Sequence, residues 1–170
     1  MFRYTLSLEH GIIGVISDTH SLLRPEAVAA LQGSALIIHA GDIGTPAVLQ
    51  ALEMVAPVVA VRGNNDTGPW AKALPDRAVV ELGAHALYVL HDVKTLGRHP
   101  QVTGYSAVIA GHSHRPALVE RHRVLFVNPG SAGPRRFTLP VAVARLHIHA
   151  VTLRAELVTL DVARSRPSPA

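Results

Sequence analysis

Aspartate, asparagine and histidine recur in this chain in short clusters placed directly after apolar runs: Asp18-Thr19-His20, Gly41-Asp42, Gly63-Asn64-Asn65-Asp66, His91 alone, and Gly111-His112-Ser113-His114. Residues i and i+2 of an extended segment point the same way, so Asp18 with His20 and His112 with His114 form two chelating pairs. With Asp42, Asn64 and His91 they make seven oxygen or imidazole donors. Seven exceed what one zinc ion takes and match two ions roughly 3.5 to 4 Å apart. A dinuclear metal site is the reading. Nitrogen and oxygen donors without thiolate suit manganese, iron or zinc, and so many imidazoles disfavour magnesium alone.

Each cluster also has a plainer reading. Asp18 and Asp42 could each cap a helix that follows a strand. Asn64 to Asp66 could be a turn, because Gly, Asn and Asp favour turn conformations. Ser113 sits in Gly-His-Ser-His-Arg, which lacks the final glycine of a nucleophile elbow, so a serine hydrolase is disfavoured. His39 either orients a ligand from behind or simply packs at a strand end; Asn65 and Asp66 are further candidates for such support. His10, His85, His99, His122, His147 and His149 have no partner at ligand spacing and are assigned to the surface or an interface. Asn128-Pro129-Gly130-Ser131 is first of all a tight turn, with phosphate contact through backbone N–H groups as the alternative.

The elements that must deliver these side chains can be read from the apolar pattern. Residues 11–17 form a short continuous apolar run, as expected of a strand buried on both faces. Residues 25–31 read as a helix with proline in its first turn and Gly33 beyond its end. A strand at 35–39, a helix at 46–54 and a strand at 57–61 follow. This βαβαβ order implies parallel strands with right-handed crossovers, whose C-terminal ends share one edge of a sheet, where ligands bind. Beyond Pro75 come strand-sized pieces at 78–82, 85–90, 107–110, 117–121, 123–127 and 140–160, with turns at Gly83-Ala84 and His122. They imply a second, largely antiparallel sheet, with a short helix left open within 92–105.

Composition bounds the answer. At 170 residues and 18.1 kDa, with 48% apolar and 16% charged residues, the chain reads as one domain, residues 1–163, with a frayed tail at 164–170. The absence of cysteine excludes disulfides, thiolate zinc sites and cysteine nucleophiles. No run approaches the ~18 apolar residues of a membrane helix, and Glu9 and His10 interrupt any signal-peptide pattern, so a cytoplasmic location is expected. The formal charge of +4 comes from scattered side chains, with aromatics at 4%, which makes nucleic acid an unlikely main partner.

The ordered set D-x-H, G-D, G-N-x-D, a lone His after a strand, and G-H-x-H resembles the calcineurin-like metallophosphoesterases, most of all their small prokaryotic YfcE-type phosphodiesterase branch. The similarity runs from about residue 11 to Arg136 and takes in the N-P-G-S turn at Asn128–Ser131. It implies a four-layer α/β/β/α sandwich of two mixed sheets, with the metal site at strand C-terminal ends. It further implies that Asp42 bridges two ions, that Asp18, His20 and His114 complete one, and that Asn64, His91 and His112 complete the other. The resemblance favours manganese, with iron, zinc, nickel and cobalt as alternatives, and implies hydrolysis of a small phosphoester, most of all a phosphodiester, by a hydroxide held between the two ions, with no nucleophile from the protein. Two residues depart from the pattern: Asn65 replaces a residue that is a proton-donating histidine in some relatives, and Asp92 follows the lone histidine where glycine is frequent. An amide cannot act as an acid, which leaves the leaving group without an evident proton donor. The rival expectation is a protein-interaction scaffold, as in the eukaryotic retromer subunit of this fold; a homo-oligomer stays open.

Overall fold

The computed structural model describes residues 1–96, 102 and 104–162. Its first sheet grows from the expected βαβαβ unit: β2 (His10–Ile16), α1 (Pro25–Ala30), β3 (Leu36–His39), α2 (Pro46–Glu53) and β4 (Val58–Ala60), with β2, β3 and β4 paired in parallel. Both helices open on proline at their first turn, where the missing N–H costs nothing. The long apolar run at 140–160 breaks at Ala150 into a hairpin of β10 (Ala142–His149) and β11 (Thr152–Thr159). β10 pairs antiparallel with β2, giving a mixed five-stranded sheet in the order β11-β10-β2-β3-β4.

The second sheet has six strands: β1 (Phe2–Leu6), β5 (Arg77–Leu82), β6 (His85–Leu90), β7 (Ala107–Ile109), β8 (Ala117–Arg121) and β9 (Val124–Asn128), in the order β1-β5-β6-β7-β9-β8. The expectation of a largely antiparallel sheet is corrected here. Only the hairpins β5–β6 and β8–β9, joined by the expected turns, are antiparallel; β1–β5, β6–β7 and β7–β9 are parallel. β7 pairs with β6 in the same direction, a pairing that needs a crossover rather than a tight turn between them.

Between the sheets lies the main core, built from alternate residues such as Ile13 and Val15, Leu36 and Ile38, Leu87 and Val89, and Leu146 and Ile148. Each large aliphatic side chain so buried contributes about 1.5 to 3 kcal/mol. α1 and α2 cover the outer face of the first sheet over Ile37, Leu31, Leu52 and Val143. The outer face of the second is covered around Tyr88, Leu90 and Val108 by Val102, Tyr105 and a 3₁₀ helix at Val93–Leu96, which fills the position left open in the sequence. The result is a four-layer α/β/β/α sandwich of two mixed sheets. No helix among the described residues is long and apolar enough to cross a membrane. The tail 164–170 and His99 lie outside the described residues.

This topology puts six strand ends at one edge. β2, β3 and β4 are parallel to one another, and so are β6, β7 and β9. The turn leaving each of them carries polar residues of the clusters described above.

Candidate metal centre

The two sheets are tied together at this edge by polar contacts. The hydroxyl of Ser131 donates to the Asp18 carbonyl (2.9 Å), the backbone N–H of His112 to Asp18 Oδ2 (3.0 Å), and the His91 Nδ1–H to the Ala40 carbonyl (2.7 Å). All seven predicted donors are brought to one place. Asp18 Oδ1 stands 3.3 Å from His114 Nε2 and 3.9 Å from His20 Nε2, while the His20 and His114 rings stack with centroids 5.3 Å apart. Asn64 Oδ1 lies 3.1 Å from His91 Nε2 and 3.0 Å from His112 Nδ1. Asp42 Oδ2 faces both groups, 3.9 Å from His20 Nε2 and 3.4 Å from His91 Nε2.

The chemistry of these groups suits a cation. Asp18 is fully buried, its Oδ2 is satisfied by Ser17 and His112, and yet Oδ1 has no hydrogen-bond partner. Burial pushes the Asp18 carboxyl up despite the hydrogen bond from Ser17 and the neighbouring His114, and burial also lowers His114. With its Nδ1–H committed to Ala40, His91 turns the lone pair of Nε2 towards two oxygens, those of Asp42 and Asn64. Burial opposes a charge on His91, but the contacts to Asp42 and the Ala40 carbonyl outweigh it, so its pKa is raised. For Asp42 burial again opposes the charge, and contacts from His91 and Asn65 more than offset it, lowering the pKa. An unpaired buried carboxylate oxygen and an imidazole nitrogen aimed at oxygens fit cation ligands. Two groups, Asp18-His20-His114 and Asp18-Asp42-His91, have donor atoms close enough to share an ion.

Backbone conformation marks the same residues. Asp18, His20, Asp42, His112 and His114 all have positive φ, between 45° and 66°, which non-glycine residues adopt only at a cost of about 1 kcal/mol or more. Turns with this shape are paid for by the contacts behind them.

Those contacts include the three supports expected from sequence, His39, Asp66 and Asn65. The Thr19 hydroxyl donates to the Ile43 carbonyl, so at 2.9 Å it accepts from the His39 Nε2–H, and His39 Nδ1 accepts the Gly41 N–H. His39 thereby links the turn bearing Asp18 and His20 to the one bearing Asp42. Its complete burial drives the pKa down to about 3, in keeping with the neutral tautomer these bonds require. Asp66 accepts the backbone N–H groups of Ile43, Gly44 and Gly63, fastening the Asp42 turn to the Asn64 turn. Asn65 donates its backbone N–H to Asp42 Oδ1 (2.9 Å) and its side-chain amide to Asp42 Oδ2 (2.7 Å).

Sequence reasoning passed over Ser17, and it read Asn128–Ser131 as a turn or a phosphate contact. The turn is present, closed by the Gly130 N–H donating to Asn128 Oδ1 (2.9 Å), and the Asn128 amide further donates to the Gly111 carbonyl (2.7 Å) and to Ser113 Oγ (3.0 Å), bracing the loop of His112 and His114. The only sequence signal for these roles is closeness to a donor, as with Ser17 beside Asp18. Of the histidines set aside, His147 pairs with Glu156 and His85 meets Ser106, both away from the site.

Packing behind Asp42 leaves no room for a side chain at residue 63. A Cβ on Gly63 would overlap the backbone nitrogen and Oδ1 of Asp42. Gly63→Ala should therefore displace that carboxylate and weaken binding of a divalent cation at least tenfold, an effect that titration calorimetry on the folded variant will read.

Beside Asn64, His91 and His112 opens a cleft of about 720 Å³, lined further by Arg62, Lys72, Asp76, Arg77, Asp92 and Thr95. It is wide enough for one arm of a small substrate.

A family model described as the calcineurin-like phosphoesterase superfamily domain matches residues 12–150. A protein of Methanothermobacter thermautotrophicus named as a probable metallophosphoesterase is 36% identical over 159 residues, covering 86% of this chain and 91% of that one. Among solved structures, an archaeal phosphodiesterase superposes with a TM-score of 0.72 at 25% identity, covering 86% of this chain and 99% of that one. The Escherichia coli phosphoesterase YfcE gives 0.64 at 21% identity, with 88% and 100% covered. Chaetomium thermophilum Vps29 gives 0.72 at 20% identity, with 88% and 96% covered.

Proposed function

We propose that this chain, which belongs to the calcineurin-like phosphoesterase superfamily, hydrolyses phosphodiesters at a centre that holds two divalent metal ions. The observation that carries the proposal is the arrangement around Asp42: one carboxylate oxygen faces two separate clusters of imidazole and oxygen donors, and in the first of them the buried Asp18 Oδ1 takes no hydrogen bond. Asp18, His20 and His114 would hold one ion and Asn64, His91 and His112 the other, with Asp42 serving both. When bound, the ions supply Lewis-acid stabilisation of the phosphoryl oxygens and make water acidic enough to attack phosphorus near neutral pH.

The chain's own residues do the positioning. Ser17 and the His112 N–H hold Asp18 Oδ2, which directs Oδ1 at His20 and His114. Ala40 fixes the His91 tautomer that leaves Nε2 free as a donor. His39 and Asp66 keep the three turns of the first sheet in register without entering the site themselves. The nitrogen and oxygen donor set supports manganese, iron or zinc as the metal, and manganese is the proposed one. A scaffold role would ask for none of this convergence.

The test is direct. Purified protein reconstituted with excess manganese should approach two ions per chain by elemental analysis and hydrolyse an activated aryl phosphodiester. A firm stoichiometry of one or none removes the dinuclear reading, and two bound ions without ester hydrolysis removes the enzymatic one.

A further inference from the structure

We propose that Asp92 sets the discrimination between classes of phosphoester: its fixed carboxylate repels a phosphate carrying two charges and so selects monoanionic diesters. The inference rests on the phosphoesterase reading above and names the residue that gives it its substrate class.

Asp92 directly follows His91 and lines the cleft together with His91, His112 and Asn64. It is not a free surface side chain. Oδ1 accepts the Lys94 N–H (2.9 Å), and the Asp92 carbonyl accepts both the N–H and the hydroxyl of Thr95, which locks the residue into the start of the 3₁₀ helix. Oδ2 stands 3.8 Å from His112 Nε2, too far for a hydrogen bond, and takes no hydrogen bond from any described residue. The carboxylate is 27% exposed, so its charge is only partly screened by water.

None of the cleft's Arg or Lys side chains pairs with Asp92 among the described residues. Arg62 is committed to Asp76, and Arg77 donates to Tyr88 Oη and to the carbonyl and hydroxyl of Thr95. Lys72 is exposed and is the one cation of the cleft with no hydrogen bond to a described residue. Arg136 is near enough to disfavour protonation of His114, in the other donor cluster. The Asp92 carboxylate thus stands beside His112 without an Arg or Lys partner among the described residues, whereas Arg136 lies towards His114.

Anything seated against His112 lies within a few ångströms of the Asp92 carboxylate. A phosphomonoester carries about one more negative charge than a diester at neutral pH, and at such distances one charge shifts binding by roughly tenfold after screening.

The experiment compares p-nitrophenyl phosphate with methyl p-nitrophenyl phosphate, which share a leaving group and differ by one charge. Manganese-loaded wild type, Asp92→Asn, Asp92→Gly and the remote Glu81→Gln are assayed side by side. Asparagine retains an acceptor for the Lys94 N–H, glycine removes the side chain altogether, and Glu81→Gln changes net charge equally at the Arg3 pair, away from the site. The expected result is a rise of about tenfold in monoester kcat/KM in both Asp92 variants, with diester kcat/KM within about twofold and no change for Glu81→Gln. Raising the salt concentration should move the wild-type ratio the same way. An unchanged ratio in both Asp92 variants overturns the proposal. So does a shift caused by loss of diester activity together with loss of bound manganese, which would make Asp92 a positioning residue for His112. A fully metallated wild type that turns over neither ester would instead overturn the phosphoesterase reading itself.

Discussion

Asp42→Asn should lower phosphodiester turnover by about a thousandfold or more, equivalent to about 4 kcal/mol of transition-state stabilisation, while leaving the protein folded. The expected size follows from geometry. Asp42 Oδ2 faces His20 at 3.9 Å and His91 at 3.4 Å, so the substitution strips an anionic oxygen from both donor clusters at once. An amide has the same shape and suits the left-handed φ of 56° at this position, so the turn should survive. The informative comparison is His147→Ala, which removes an imidazole paired with Glu156 on β10 and should cost nothing in turnover. Elemental analysis and circular dichroism accompany the assay: fewer than one manganese per chain with an unchanged spectrum is the expected pair. A variant that keeps both ions and a tenth of the activity would deny Asp42 its bridging role.

The second large effect concerns the leaving group. Within the aryl phosphodiesters, turnover should fall by about a hundredfold as the leaving-group pKa rises by three units or so, because general acid help of that size is missing. Asn65 occupies the position where a proton donor would be sought, and its amide is spent on Asp42 Oδ2. The imidazoles that line the cleft among the described residues are His91 and His112, both in the donor cluster. A poor leaving group must then depart with help from metal or solvent alone. Asn65→His should flatten the dependence, though the variant loses the amide bond to Asp42. A flat dependence in the wild type, with chemistry shown to limit the rate, would show that an acid is present after all.

Much of the site was legible in the sequence because each donor stands next to the end of an apolar run. The runs at 11–17, 35–39 and 57–61 became β2, β3 and β4, and Asp18, Asp42 and Asn64 follow them as expected. What pattern cannot supply is a partner. Phe2–Leu6 was not read as a strand: its one neighbour, β5, lies far along the chain, and as an edge strand it alternates only weakly between exposed and half-buried residues. The run at 140–160 is plainly extended, yet nothing local says that β10 pairs with β2 in the first sheet. Gly83-Ala84 and His122 announced their hairpins, whereas the parallel pairs of the second sheet depend on connections without a signature. The role of His39 was open for the same reason, because Thr19 and Gly41 meet its two nitrogens only after folding.

The five left-handed residues among the donors carry a consequence for anyone improving this protein. Glycine, or asparagine, would sit more comfortably at Asp18, His20, Asp42, His112 and His114, and each exchange would also thin a cluster of closely packed imidazoles and carboxylates. A screen that rewards heat resistance of the metal-free chain will therefore find its gains at the donors first, and will breed hardy proteins from which the chemistry has been erased. Library design should hold these five positions fixed, or select in the presence of the metal.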